Sequence, residues 1–164
     1  MKEAVDSLLA PMEEEQDDKW RKVWQANLWP KVSTFLWILL HNRVPTGKNK
    51  SKRRSIGPHW CFLCQMHEET TNHILDECNF AGKIWKEGER IFRKKEKQNG
   101  RLDLTIAQWK HQPFSSKILN RIWELFPGFV VWEVWIEKNN RVFKDKSITE
   151  KEVWDTLTFK KILS

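Results

Sequence analysis

The chain has 164 residues, 40% of them hydrophobic, with eleven Trp and nine Phe but no Tyr, so it is long enough to bury a core and too aromatic for a disordered chain. Its net charge of +7 is uneven: residues 1–18 set Lys2 against Glu3, Asp6, Glu13, Glu14, Glu15, Asp17 and Asp18, a local −6, which leaves +13 on the remainder. No run of 18 apolar residues allows a transmembrane span, and the acidic start without an apolar stretch argues against a presequence or secretory signal, so no membrane role and an intracellular place, nucleus or cytoplasm, are expected.

Trp20, Val23, Trp24 and Leu28 lie on one face of an amphipathic helix that Pro30 ends. A second helix follows, with Val32, Phe35, Leu36, Leu39 and Leu40 on its apolar side. Pro45 and Gly47 open a polar loop over Lys48 to Ser55. Glu68 to Glu77 reads as a short helix presenting His73. Ala81, Ile84, Trp85, Ile91 and Phe92 mark a further helix running into the basic stretch Arg93 to Lys97, with Gly100 as its breaker.

Residues 101–114 show no clear period and read as a loop with a short helical turn. Ser115 or Ser116 caps the next helix, whose face is Ile118, Leu119, Ile122 and Trp123. Pro127-Gly128 interrupts it, and a long helix resumes with Val131, Val134, Trp135 and Val142. Thr149 with Glu152 forms a capping box for the last helix, which buries Val153, Leu157 and Ile162. No strand pattern competes. The expected fold is mainly α, with Trp24, Phe35, Leu36, Leu39, Trp85, Trp135 and most other tryptophans in the core.

Cys61, Cys64, His73 and Cys78 form C-x2-C-x8-H-x4-C and include every cysteine of the chain. Two thiolates two residues apart sit on one tight knuckle, and His73 and Cys78 supply the other corners of a tetrahedron. A Cys3His set is a closed structural Zn2+ site with no open position for catalysis. A disulfide would leave one cysteine over, and a redox dithiol does not call for a third thiol and a histidine. His59 and His67 compete as fourth ligands, but His67 lies only three residues past Cys64 and His59 precedes the knuckle, so both read as solvated loop residues. Five residues turn an α-helix by about 500°, so Cys78 is expected just past the end of the helix that carries His73. Thiols arranged for metal suit a reducing compartment.

Together these residues resemble the zinc-binding domain that follows the reverse transcriptase of plant non-LTR (LINE-type) retrotransposons. The likeness runs through Trp20-x3-Trp24, Trp29-Pro30-Lys31-Val32, Phe35-Leu36-Trp37-x-Leu39-Leu40-His41-Asn42-Arg43, Val44-Pro45-Thr46, Gly57-Pro58-His59-Trp60-Cys61-x2-Cys64, Glu69, His73, Cys78 and Ile84-Trp85. Val131-Trp132-Glu133-Val134-Trp135 and Asn139-Asn140-Arg141-Val142-Phe143 are similar to the Trp-rich tail of such elements. Lys50 stands where the family usually has leucine, which exchanges a core anchor for a basic run. The resemblance implies an acidic leader helix at 1–18, a compact zinc-centred helical domain at 19–100, and a Trp-rich helical extension at 101–164 packed on it. It also implies a retroelement fragment standing as its own small protein.

An enzyme is not expected. The chain lacks the Tyr of a polymerase carboxylate motif, Asp17-Asp18 suits a helix start, and Asp103 and Asp145 stand apart. Two functions stay open. One is non-specific binding of RNA or DNA, with Lys48, Lys50, Lys52, Arg53 and Arg54 before the knuckle and Arg93, Lys94, Lys95 and Lys97 on phosphates, and Trp60 stacked on an unpaired base. The other is an interaction factor for an unidentified protein partner, using surplus aromatics and the acidic segment. Against the nucleic-acid roles, the run from Lys48 to Arg54 equally suits a nuclear-import signal or a solvated loop, and Trp60 equally suits packing on the metal site.

Overall fold

A computed structural model describes residues 28–51, 59–93, 102, 106 and 114–157. The expectations for residues 1–18, for the helix bearing Trp20 and Trp24, for Ile162 and for most of 101–114 lie outside the described residues. The elements are α1 (Pro30–Leu40), α2 (Gly47–Ser51), a π-helical turn (His73–Glu77), α3 (Asn79–Phe92), α4 (Lys117–Lys144) and α5 (Glu150–Leu157). The described residues contain no strand, only one antiparallel bridge between Trp60 and Glu68. The fold is mainly helical.

Pro30 occupies the first turn of α1, where its missing N–H costs nothing, and Val32, Phe35, Leu36 and Leu39 are buried on the face that the spacing indicated. The expected polar loop instead begins with the short helix α2. Thr46 Oγ1 accepts the Asn49 N–H at 3.2 Å, and Glu69 Oε1 accepts the Gly47 N–H at 2.9 Å. Those two acceptors satisfy donors that a short helix otherwise leaves open.

α3 ends earlier than expected. Arg93 takes a left-handed conformation (φ 54°) and its N–H bonds back to Glu89 O, so the helix stops at Phe92. Ile91, expected in the core, is exposed. Gly88 holds the buried position instead: a Cβ there would lie 2.1 Å from Phe126 Cζ, so only glycine lets this ring approach.

α4 contains the largest correction. It runs unbroken for 28 residues through Pro127 and Gly128. A proline inside a helix costs about 3 kcal/mol, but every residue from Leu125 to Val131 is buried. Phe126 packs against Trp85 (5.7 Å), Phe92 (5.5 Å) and Trp154 (5.9 Å), while Leu28 and Leu36 come within 3.1 and 3.4 Å of where a Gly128 Cβ would sit. Burial on all sides thus offsets the lost hydrogen bond. Ser116 is the cap, accepting the Leu119 N–H at 3.4 Å. Ile118 and Leu119 are exposed, because the core begins only at Ile122.

The other helices pack around α4. On α1, Phe35 lies 5.5 Å from Trp132 and 5.6 Å from Trp135. On α3, Phe92 meets Trp123 at 5.1 Å. The expected capping box of α5 is present, with the Thr149 N–H donating to Glu152 Oε2 at 2.7 Å and the Glu152 N–H to Thr149 Oγ1 at 3.2 Å. Among the described residues, Trp85, Trp123 and Trp135 are buried and Trp132 and Trp154 pack partly buried against the core, whereas Trp29, Trp37 and Trp60 are exposed.

Candidate metal centre and the adjoining basic surface

Cys61 and Cys64 sit on one turn, and that turn is closed by two backbone bonds. The Gln65 N–H donates to Cys61 O at 2.7 Å and the Cys61 N–H to His67 O at 2.8 Å. His73 opens the π-helical turn, and Cys78 follows it as the residue between that turn and α3. The Cys78 N–H bonds to His73 O at 2.7 Å, an i→i+5 closure. An α-helix would swing the two side chains apart; widening the turn by one residue brings them round to the same side. This is how a histidine and a cysteine five residues apart serve one centre.

The four donor atoms lie within 4.8 Å of one another. Cys61 Sγ is 3.9 Å from Cys78 Sγ, and Cys64 Sγ is 3.3 Å from His73 Nε2. A zinc–sulfur bond near 2.3 Å gives a tetrahedron edge of about 3.8 Å. The residues therefore fit a tetrahedral Zn2+. Backbone hydrogen bonds from Leu63 and Cys64 to the Cys61 thiol, and from Phe80 to Cys78, favour thiolates.

Without metal, the hydrogen bond to Cys78 and then burial push the Cys61 thiol up, and that same bond, outweighing burial, holds Cys78 down. The Cys61 thiol donates toward Cys78 Sγ, and a zinc ion bound there would take the place of that proton. Burial, with the neighbouring His67 next, lowers the His73 pKa and keeps the ring neutral as a ligand must be. Glu77 Oε2 stands 4.0 Å from His73 Nδ1, a charge near the ring but beyond hydrogen-bond distance. His67 is exposed and lies beside the set: its Nδ1 is 3.9 Å from Cys64 Sγ and its ring 5.0 Å from that of His73. His59 is exposed and serves through its carbonyl, which accepts the Glu69 N–H at 2.6 Å.

Charged side chains of α4, to which the sequence assigned no role, hold this centre. Lys138 Nζ and Glu69 Oε1 form a 3.0 Å ion pair with both side chains 2% exposed. The ammonium also lies 4.8 Å from the Trp135 ring centroid. Arg141 donates to Leu63 O, inside the knuckle, at 3.1 Å, to Ile148 O at 3.2 Å and to the buried Glu137 carboxylate at 2.7 Å, with its guanidinium over Phe80. The available signal was Glu137-Lys138, a charged pair directly following an apolar helical run.

The comparisons with known proteins accord with this geometry. The family described as zinc-binding in reverse transcriptase matches residues 2–85. The chain belongs to that family. It is also similar to an Arabidopsis thaliana protein named "Putative ribonuclease H protein", 20% identical over 127 residues that make up 76% of this chain and 20% of the relative. The chain thus spans about a fifth of that relative's length. No solved structure matches. The matched family is a zinc-binding one, and zinc is its cofactor at the Cys3His set.

The basic residues divide. Lys48 lies on α2, half-exposed, with Nζ 3.6 Å from Glu68 Oε2. Lys50 belongs to the same helix, and Arg93 is exposed at the end of α3. Lys52, Arg53, Arg54, Lys94, Lys95 and Lys97 lie outside the described residues. Trp60 is 61% exposed, so it does not pack into the metal site. Lys48 and Trp60 are each tied to the Glu68-Glu69 segment through the backbone: the Lys48 N–H bonds to Glu69 O at 3.2 Å, and Trp60 forms the bridge with Glu68. No helix among the described residues is long and apolar enough to cross a membrane.

Proposed function

We propose that the chain is a non-catalytic, zinc-stapled module that binds RNA or DNA without sequence preference through the surface beside its knuckle. The observation that carries this reading is that Glu68 is shared by an exposed aromatic residue, Trp60, through a backbone bridge, and by a cation, Lys48, through an ion pair. An exposed aromatic and a cation held by one segment suit an unpaired base and its phosphate, whereas a protein-docking patch excludes charge from its centre. The excess of positive charge outside residues 1–18 supports the same partner. Bound zinc acts as a structural crosslink. With four protein ligands it keeps no open position for water or substrate, which supports a binding rather than a catalytic role.

The test is fluorescence anisotropy with labelled single-stranded RNA and DNA across a salt series. Replacing Lys48, Lys50, Lys52, Arg53 and Arg54 with Ser is expected to flatten the log–log salt slope by roughly two to four units, at about 0.7 per phosphate contact, with zinc content unchanged. Binding weaker than about 10⁻⁴ M near physiological salt overturns the reading. Capture of a protein from nuclease-treated extract by the same Ser variant would then establish the interaction-factor alternative.

A further inference from the structure

A cleft of about 530 Å³ opens beside Lys48, between the end of α1, α2 and the entry to the π-helical turn. Its volume lies in the range of about 300–1,000 Å³ typical of small-ligand sites. Leu40, Leu102 and Ile106 give it apolar surface, and Lys48 is the one charged residue among the described residues that line it. Thr71, another lining residue, has a buried Oγ1 with no hydrogen-bond partner in the protein. The rim is fixed in advance: the Asn49 side-chain amide donates to Val44 O at 2.8 Å and to Asn42 O at 3.1 Å.

We infer that this cleft accepts one unstacked nucleobase of a single strand while Lys48 holds the adjoining phosphate. The inference rests on the nucleic-acid reading above and extends it to a defined subsite. The apolar residues suit the faces of a base. The buried Thr71 hydroxyl both donates and accepts, so a turn of its side chain toward the cleft would let it pair with the edge of any base, which makes the subsite tolerant of sequence. Lys48 supplies the positive charge that a neutral apolar ligand would not need. Its contact with Glu68 joins two half-exposed side chains and yields readily to a phosphate. A duplex keeps its bases stacked and paired, so the cleft selects single strands.

The experiment uses the zinc-loaded full chain and two labelled oligomers of equal length, oligo-dT and a fully abasic strand with the same phosphates. Base stacking and burial predict that wild type binds oligo-dT about tenfold or more tighter than the abasic strand. Leu40→Trp, which fills the cleft, is expected to abolish that preference while leaving affinity for the abasic strand and the zinc content unchanged. Thr71→Val, nearly isosteric, is expected to reduce the preference about two- to fivefold, and it decides the matter should Leu40→Trp lose zinc. Equal binding of both strands by wild type overturns the subsite and leaves the nucleic-acid reading standing. A preference that survives the cleft variants but is lost in Trp60→Ala also overturns it, since the base then stacks on Trp60 alone. Binding of neither strand overturns the nucleic-acid reading itself.

Discussion

Between Cys61 and Cys78 the chain buries thiols, an imidazole and two carboxylates, Glu69 and Asp76, whereas between α3 and the middle of α4 it buries rings. The first region has only short irregular structure and is held by donors that converge on one point, braced by the Glu69–Lys138 ion pair and by Arg141 on Leu63 O. The second is held by area, with Trp85, Phe92, Trp123 and Phe126 in mutual edge and stacked contact. Directional bonds fail together when one partner goes, because each remaining polar group is left buried and unpaired. Ring packing fails by degrees. One chain therefore carries a cooperative polar staple and a more forgiving apolar seam, joined through α4.

The largest expected effect comes from the staple. Cys78→Ser is expected to lose both the metal and helical signal, since structural zinc contributes about 10 kcal/mol or more in small zinc-finger peptides. Metal analysis of the wild type should give one equivalent, and a value below about half an equivalent after gentle purification would count against the centre.

The brace and the seam come next and should differ in kind. Lys138→Met removes the cation and leaves the Glu69 carboxylate buried, which is expected to cost about 3–5 kcal/mol in urea unfolding. Adding Glu69→Gln should recover part of that loss, as a charge left unpaired is the main penalty. Trp85→Ala is expected to cost a similar 3–5 kcal/mol. No second change in charge should rescue it, because it leaves a cavity and also frees Leu75 O, which accepts the indole N–H at 2.9 Å. If Glu69→Gln rescues nothing, the contrast drawn between the regions is wrong.

The smallest effect tests the periphery. Lys83 lies 2.7 Å from Glu150 and ties α3 to the start of α5. The hydrogen bond from Lys83 holds the Glu150 pKa below its ordinary value. A depressed carboxylate pKa contributes stability that is present above the unfolded pKa of about 4.3 and lost as pH falls through the folded value. Because both groups are partly exposed, Lys83→Met should cost no more than about 1 kcal/mol at pH 7. Urea midpoints of wild type and variant should converge as pH is lowered below about 4, and a gap that widens would contradict the sign.

Much of this was written in local patterns. The face of α1, the Thr149–Glu152 box and the Ser116 cap each depend on residues within one or two turns, so spacing sufficed to find them. The ligand set was equally legible, since the three cysteines left only the fourth ligand to choose among His59, His67 and His73, and the angular argument placed Cys78 beyond its helix. The π-helical turn that satisfies both constraints was not foreseen, because nothing local in His73–Glu77 favours it; the shared centre does. Tertiary packing also decided that α4 continues through Pro127, since the compensation comes from Leu28, Leu36, Trp85 and Phe92 on other segments. It likewise placed Gly88 rather than Ile91 in the core, by the approach of the Phe126 ring, and joined Lys138 to Glu69 across 69 positions of sequence. Short-range hydrogen bonds and periodicity act within a few residues and can be read in order. The cost of a proline, the place for a glycine and the partner of a buried charge depend on what the rest of the chain brings alongside them.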